Sequence, residues 1–148
     1  MGEIPFRLEY MEEKDAKPAA LLEAECSREP WTREAYLEAL QNENALYVTA
    51  KKEGRLIGCC GIWQSFETGD ICNVAVAPDC RRQGVAEEML GYLMEQARKR
   101  GMEQFTLEVR SANTPAIRLY EKLGFVTEGV RRGFYDAPKD DALIMWKR

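Results

Sequence analysis

The chain contains no histidine. Histidine is the commonest general base near neutral pH and the commonest metal ligand, so its absence removes a Ser-His-Asp triad and leaves carboxylates as the natural bases. Long apolar runs are also missing. The longest charge-free stretch, Leu56 to Phe66, is about half of the roughly 20 residues that cross a bilayer, and no membrane partner is expected. The opening segment, Met1 to Tyr10, carries Glu3, Arg7 and Glu9 instead of a basic end followed by an apolar core, unlike a secretory signal. The cysteines, Cys26, Cys59, Cys60, Cys72 and Cys80, are odd in number and form no C-x-x-C pair. That disfavours a zinc ribbon or a complete disulfide framework and predicts reduced, mostly buried thiols. A basic excess is lacking too: 21 Lys and Arg stand against 25 Asp and Glu, for a net charge of -4, which argues against direct nucleic-acid binding. A cytoplasmic protein without a metal is the expectation.

What remains suits one folded domain over residues 1–148. Its 148 residues are 45% hydrophobic, 31% charged and 9% aromatic, enough apolar side chain to bury a core. Charge is uneven. Residues 1–70 hold 8 basic and 14 acidic side chains, net -6, whereas the second half is mildly basic and can hold an anion.

Phe6 to Met11 reads as a strand, and Pro18 opens a helix reaching about Cys26, ended by Glu29-Pro30. Trp31 to Leu40 restarts a helix with Thr32 as N-cap. Ala45 to Lys51, Arg55 to Phe66 and Asp70 to Val76 form an antiparallel meander, with turns at Glu53-Gly54 and Thr68-Gly69. Val85, Met89, Leu93 and Ala97 recur at helical spacing until Gly101 stops the helix. Gln104 to Val109 is a strand, Asn113 caps a helix with Pro115 in its first turn, and Gly124 ends it. Phe125 to Val130 and Ala142 to Trp146 are the last strands. The order β-α-α-β-β-β-α-β-α-β-β predicts a mixed α/β sheet flanked by helices.

Two segments bear on chemistry. Arg81-Arg82-Gln83-Gly84-Val85-Ala86 lies between a strand and a helix N-terminus, where free N–H groups and the helix dipole favour an anion. A solvated basic turn is the plain alternative. No Gly-Lys-Ser/Thr follows and G-x-G-x-x-G is absent, so neither a Walker loop nor a dinucleotide fingerprint is present. The second is Leu107-Glu108-Val109, whose alternation points Glu108 away from its apolar neighbours, as in any strand with one solvated face.

The pattern Arg81-x-x-Gly84-x-Ala86 resembles the R/Q-x-x-G-x-G/A signature of the GNAT superfamily of acetyl-CoA-dependent N-acetyltransferases. The likeness extends upstream over Asn73-Val74-Ala75-Val76-Ala77-Pro78 and downstream over Asn113-x-x-Ala116-x-x-Leu119-Tyr120-x-x-x-Gly124-Phe125. Pro30-Trp31-Thr32, Leu107-Glu108-Val109-Arg110 and Asp141-Ala142-Leu143-Ile144-Met145 resemble the RimI group, which acetylates the N-terminal alanine of a ribosomal protein. Gly133-Phe134-Tyr135 departs from the two tyrosines usual among N-terminal acetyltransferases, which bears on the peptide pocket.

The resemblance implies a mostly antiparallel sheet of about seven strands flanked by four helices, acetyl-CoA as donor, and a ribosomal-protein N-terminus as acceptor. It implies Glu108 as proton acceptor and Tyr120 as proton donor to the leaving sulfur. Backbone groups of Val74, Ala75 and Val76 would meet the acetyl and pantetheine arm. Arg81, Arg82, Gln83, Gly84, Val85, Ala86 and Glu87 would cradle the pyrophosphate, and Asn113 would bond the pantetheine. Trp31, Tyr135 and Asp141 would line the peptide entry, although loop aromatics also serve as packing anchors. Other amine acceptors, a non-catalytic CoA-binding module and a nucleic-acid module are the competing readings.

Overall fold

Two positive-φ residues make the first hairpin: Glu53 (φ 51°) and Gly54 (φ 81°) supply the left-handed pair whose twist matches the flanking strands. In the computed structural model, which describes residues 6–148, they join β2 (Ala45–Lys52) to β3 (Arg55–Ser65). Residues 1–5 of the charged opening segment lie outside the described residues. Around this hairpin come β1 (Arg7–Tyr10), α1 (Ala16–Cys26), α2 (Arg33–Leu40), β4 (Thr68–Val76), α3 (Val85–Lys99), β5 (Gln104–Arg110), α4 (Thr114–Lys122), β6 (Val126–Asp136) and β7 (Lys139–Lys147). They build one seven-stranded sheet in the order β1-β2-β3-β4-β5-β7-β6, antiparallel except for β4 beside β5.

The helix boundaries follow their caps. Thr32 accepts from the Ala35 N–H at 3.1 Å and Asn113 from the Ala116 N–H at 3.3 Å, each satisfying a donor that the first turn leaves free. Gly101 (φ 94°) and Gly124 (φ 100°) end α3 and α4 in the left-handed region. Two helix starts differ from the sequence reading: α1 begins at Ala16, after a 3-10 turn over Glu13–Asp15, with Pro18 inside its first turn, and α2 begins at Arg33, two residues after Trp31.

The second hairpin corrects the expected turn. Ser65 pairs with Thr68, so the turn falls at Phe66-Glu67, and Phe66 takes φ 55° with 88% of its surface exposed. Gly69 lies inside β4 for a packing reason: a Cβ there would run into the Ile62 side chain and stand 2.8 Å from Met102 Sδ. The last two strands are longer than their apolar cores suggested. The polar stretch Arg131-Arg132-Gly133 belongs to β6, an edge strand whose solvated side chains hide its alternation.

Strands β2 and β3 are buried on both faces. Gly58 faces α3, where a Cβ would stand 3.2 Å from Met89 Sδ, whereas its neighbour Cys59 faces Tyr36 of α2. Helix α3 buries Val85, Met89, Leu90, Leu93, Met94 and Ala97 as one stripe. Truncating a fully buried member such as Leu93 to alanine costs about 2–5 kcal/mol.

One departure from regular pairing creates the site. Parallel pairing between β4 and β5 covers only Thr68–Asp70 against Gln104–Thr106. Beyond Asp70 the strands part, and their remaining lengths face a gap.

Candidate active site

The gap is a cleft of about 1050 Å³, lined on one side by Ile71 to Ala75 and on the other by Leu107 to Arg110. A bulge shapes the β4 wall. Ala75 pairs with Cys59 and Cys72 with Gly61, so Asn73 and Val74 stand opposite the single residue Cys60. Asn73 takes φ 54°, a left-handed conformation that asparagine tolerates better than most side chains. Beyond the bulge, Ala77 donates to the Ile57 carbonyl at 2.8 Å. Successive N–H groups point to opposite edges of a strand, so the Val76 N–H faces the edge that β5 leaves unpaired.

Glu108 and Tyr120 meet this cleft from opposite faces of the sheet. Phe105 lies under Arg98 of α3, its ring centroid 5.0 Å from the guanidinium carbon, so Phe105, Leu107 and Val109 face α3. Alternation turns Glu108 to the α1 and α2 face, where its carboxylate is 3.0 Å from Arg131 Nε. Asp70 and Tyr135 share that face. Burial and the Glu108 charge together push the Asp70 carboxyl above its ordinary range, and the same two causes raise the Tyr135 hydroxyl. Tyr135 lies beneath Arg110, with the guanidinium carbon 4.1 Å from its ring centroid. Tyr120 arrives from the α3 face, buried beside Phe125, and burial pushes its hydroxyl up to about 12.

The cradle segment follows β4 at the start of α3 and lies outside the cleft lining. Gly84 takes φ 82° and Arg82 φ 62°, turning the chain into the helix so that the first-turn N–H groups are left without helical acceptors. A Cβ built on Gly84 meets nothing within 4 Å, so there is open space over the helix N-terminus. Glu87, an unfavourable charge for an anion site, is drawn aside by Lys122 at 2.9 Å. Arg81 folds back, donating to the Val76 carbonyl at 3.2 Å, while Arg82 and Gln83 remain exposed. A left-handed glycine, open space and unpaired amides fit a pyrophosphate.

The other predicted positions divide. Val74, Ala75, Asn113 and Tyr135 line the cleft together with Glu108 and Tyr120. Asn113 Oδ1 is committed to capping α4, which leaves its amide N–H groups to donate outward. Trp31 and Asp141 lie outside the lining. Trp31 packs on Tyr36 and Tyr47, with ring centroids 5.3 and 6.0 Å away, and Asp141 accepts from the Gly133 N–H at 2.8 Å. Cys26, Cys72 and Asn73 also line the cleft, as does Glu23, which the sequence reading did not single out. Glu23 had a readable signal: it falls seven residues after Ala16 and four after Ala19, on the stripe that α1 buries. Burial raises the Cys59 thiol to about 12 and Cys72 to about 11, making both poor nucleophiles near neutrality. Among the described residues no group of three or more Cys, Asp or Glu side chains is arranged to hold a metal ion, and no helix is long and apolar enough to cross a membrane.

The acetyltransferase (GNAT) family matches residues 16–125. A Bacillus subtilis (strain 168) protein, given provisionally as a [ribosomal protein bS18]-alanine N-acetyltransferase, is 37% identical over 126 residues, 84% of this chain and 83% of that protein. The [ribosomal protein bS18]-alanine N-acetyltransferase of Escherichia coli (strain K12) is 31% identical over 137 residues, 91% of this chain and 92% of that one. The crystal structure of the ribosomal-protein-S18-alanine N-acetyltransferase from Escherichia coli superposes with a TM-score of 0.88 at 30% identity, covering 96% of this chain and 92% of that one. A Salmonella typhimurium structure containing its cofactor acetyl-CoA shares the fold at 18% identity, with a TM-score of 0.84 over 97% of this chain and 93% of that one. The chain belongs to the GNAT acetyltransferase family and is an acyltransferase of mixed α/β fold.

Proposed function

We propose that this protein is an acetyl-CoA-dependent N-alpha-acetyltransferase that acts on the N-terminal alanine of a ribosomal protein, by direct attack in a ternary complex. The observation that carries the reading is the cleft between β4 and β5, which Glu108 meets from one face of the sheet and Tyr120 from the other. Donor and acceptor thereby approach from opposite faces. The alanine acceptor is supported by the names of the Bacillus subtilis and Escherichia coli relatives. Residues 1–148 act as one cytoplasmic domain that needs no metal and engages neither nucleic acid nor membrane.

Bound acetyl-CoA supplies a thioester-activated acetyl group. The residues of this chain do the rest. A terminal amine has a pKa of about 7.7–8.0 and attacks only when neutral, so Glu108 takes its proton directly or through one water. Tyr120, whose hydroxyl is kept protonated near neutral pH by burial, donates a proton or a hydrogen bond to the departing sulfur. The Val76 N–H, facing the unpaired edge, donates to the acetyl oxygen as negative charge develops there. Backbone groups of Val74 and Ala75 and the Asn113 amide hold the pantetheine arm. The amides of Arg82, Gln83, Gly84, Val85, Ala86 and Glu87 hold the pyrophosphate, with Arg81 bracing the loop against Val76. Tyr135 meets the peptide, while Trp31 and Asp141 support the entry by packing and by holding the β6 backbone.

The test is intact-mass analysis of peptides beginning with Ala, Ser or Met, and of an acetyl-blocked Ala peptide with an internal Lys, each incubated with protein and acetyl-CoA. Acetylation of the free Ala peptide with none on the blocked one is expected. Acetylation of lysine, or none while acetyl-CoA binds, contradicts the reading.

A further inference from the structure

Glu23 is a carboxylate only 6% exposed, on the inner stripe of α1, and none of the steps above uses it. Its partners are unusually complete. Oε1 accepts from the Asn73 side-chain amide at 3.0 Å and from the Tyr36 hydroxyl, and Oε2 accepts from the Trp31 backbone N–H at 2.9 Å. The network continues: Asn73 Oδ1 accepts from the Tyr47 hydroxyl at 2.7 Å, which in turn accepts from the Trp63 indole at 3.0 Å. No buried side-chain nitrogen or oxygen among the described residues lacks a partner. Such a network favours one geometry, because any displaced member leaves a desolvated polar group unpaired.

What the network grips is the bulge. Asn73 is the left-handed residue of β4, and the bulge wall, Asn73 to Ala75, faces the cleft. A left-handed non-glycine residue persists only where its surroundings hold it. Both ends of the Asn73 side chain are held, by Glu23 on α1 and by Tyr47 on β2.

We propose that Glu23 is a positioning residue for the acyl end of the donor: its buried carboxylate fixes Asn73 and so sets the β4 backbone that meets the pantetheine arm and acetyl group. This rests on the reading of the cleft as the acetyl-CoA site, and is independent of which amine is the acceptor. Glutamine at position 23 removes the charge and turns one accepting oxygen into a donor, so one of the three bonds must break. The exchanged pair, Glu23→Gln with Asn73→Asp, reverses the polarity and rebuilds the network. The introduced glutamine amide donates to the introduced aspartate and to the Tyr36 oxygen, its carbonyl oxygen accepts from the Trp31 N–H, and Tyr47 still donates to the carboxylate at position 73.

The test is calorimetric titration of wild type, Glu23→Gln and the exchanged double variant with two ligands. One is acetyl-CoA. The other is adenosine 3′-phosphate 5′-diphosphate, which lacks the pantetheine arm and reaches only the cradle. The expected result is that Glu23→Gln weakens acetyl-CoA about tenfold, leaves the nucleotide within about twofold, and is restored to within about threefold of wild type by the exchange. An unchanged acetyl-CoA affinity, equal weakening of both ligands, or failure of the exchange to restore binding overturns the inference. A wild-type protein that binds neither ligand overturns the cofactor reading and the inference with it. Failure to acetylate an Ala peptide overturns only the acceptor assignment.

Discussion

Arg131 reaches across β7 to place its guanidinium nitrogen 3.0 Å from the Glu108 carboxylate, joining the edge strand of the sheet to the wall of the cleft. Arg131 keeps 58% of its side-chain surface in solvent and Glu108 35%, so water screens the pair and it contributes at most about 1 kcal/mol. An arriving ammonium group can open it at little cost. Glu108→Gln keeps the shape and removes the proposed proton acceptor. Turnover is expected to fall by about 100-fold or more with acetyl-CoA affinity nearly intact, measured by steady-state kinetics beside calorimetry. Unchanged turnover contradicts the role given to Glu108.

Removing the other member of the pair has a different expected outcome. Arg131→Gln should alter unfolding free energy by less than about 1 kcal/mol in urea titrations. A loss above about 2 kcal/mol would mean that the pair holds the β6–β7 hairpin in place.

Gly84 separates conformational strain from occlusion. With open space around its Cβ position, Gly84→Ala meets no neighbour, yet its φ of 82° costs an L-residue about 1–2 kcal/mol. Gly84→Glu adds a carboxylate to the same strain, in the space assigned to the pyrophosphate. Acetyl-CoA affinity should fall modestly in the alanine variant and at least tenfold in the glutamate variant. Equal affinities in wild type and Gly84→Glu contradict the cradle.

Local chemistry explains which parts of this fold are readable from sequence. Glu53-Gly54, the Thr32 and Asn113 caps and the α3 stripe each act within a few residues, and each lies where its pattern places it. The Asn73-Val74 bulge depends on pairing between β3 and β4, and nothing local to β4 announces it. Gly69, a glycine kept for packing against Ile62 and Met102, hides the Phe66-Glu67 turn. Period-two alternation places Glu108 on the open face, and the family likeness singles it out from other strand glutamates. Glu23 shows the opposite case. Its helix stripe marks it as buried, but its partners, Trp31 and Tyr36 around the start of α2 and Asn73 fifty residues on in β4, converge on it only in the fold.

The buried thiols and Tyr120 give the protein an alkaline limit. In the folded state burial raises Cys59 from 9.0 to about 12, Cys72 from 9.0 to about 11, and Tyr120 from 10.0 to about 12. Folding therefore favours the protonated forms, so their full contribution is present below pH 9 and is lost as pH rises toward the folded values. Each group that ionises in the unfolded chain alone removes about 1.4 kcal/mol of stability per pH unit. Urea unfolding should give nearly equal contributions from these groups at pH 7 and 8, then falling stability between pH 9 and 11. Equal stability at pH 8 and 10.5 contradicts the burial of these groups.

The most direct test of the central claim uses one peptide carrying both a free N-terminal alanine and an internal lysine, incubated with protein and acetyl-CoA and sequenced by fragment mass. One acetyl group on the alanine nitrogen, lost in Glu108→Gln, is the predicted result. Acetyl on the lysine side chain, or an unmodified peptide from protein that binds acetyl-CoA, would contradict it.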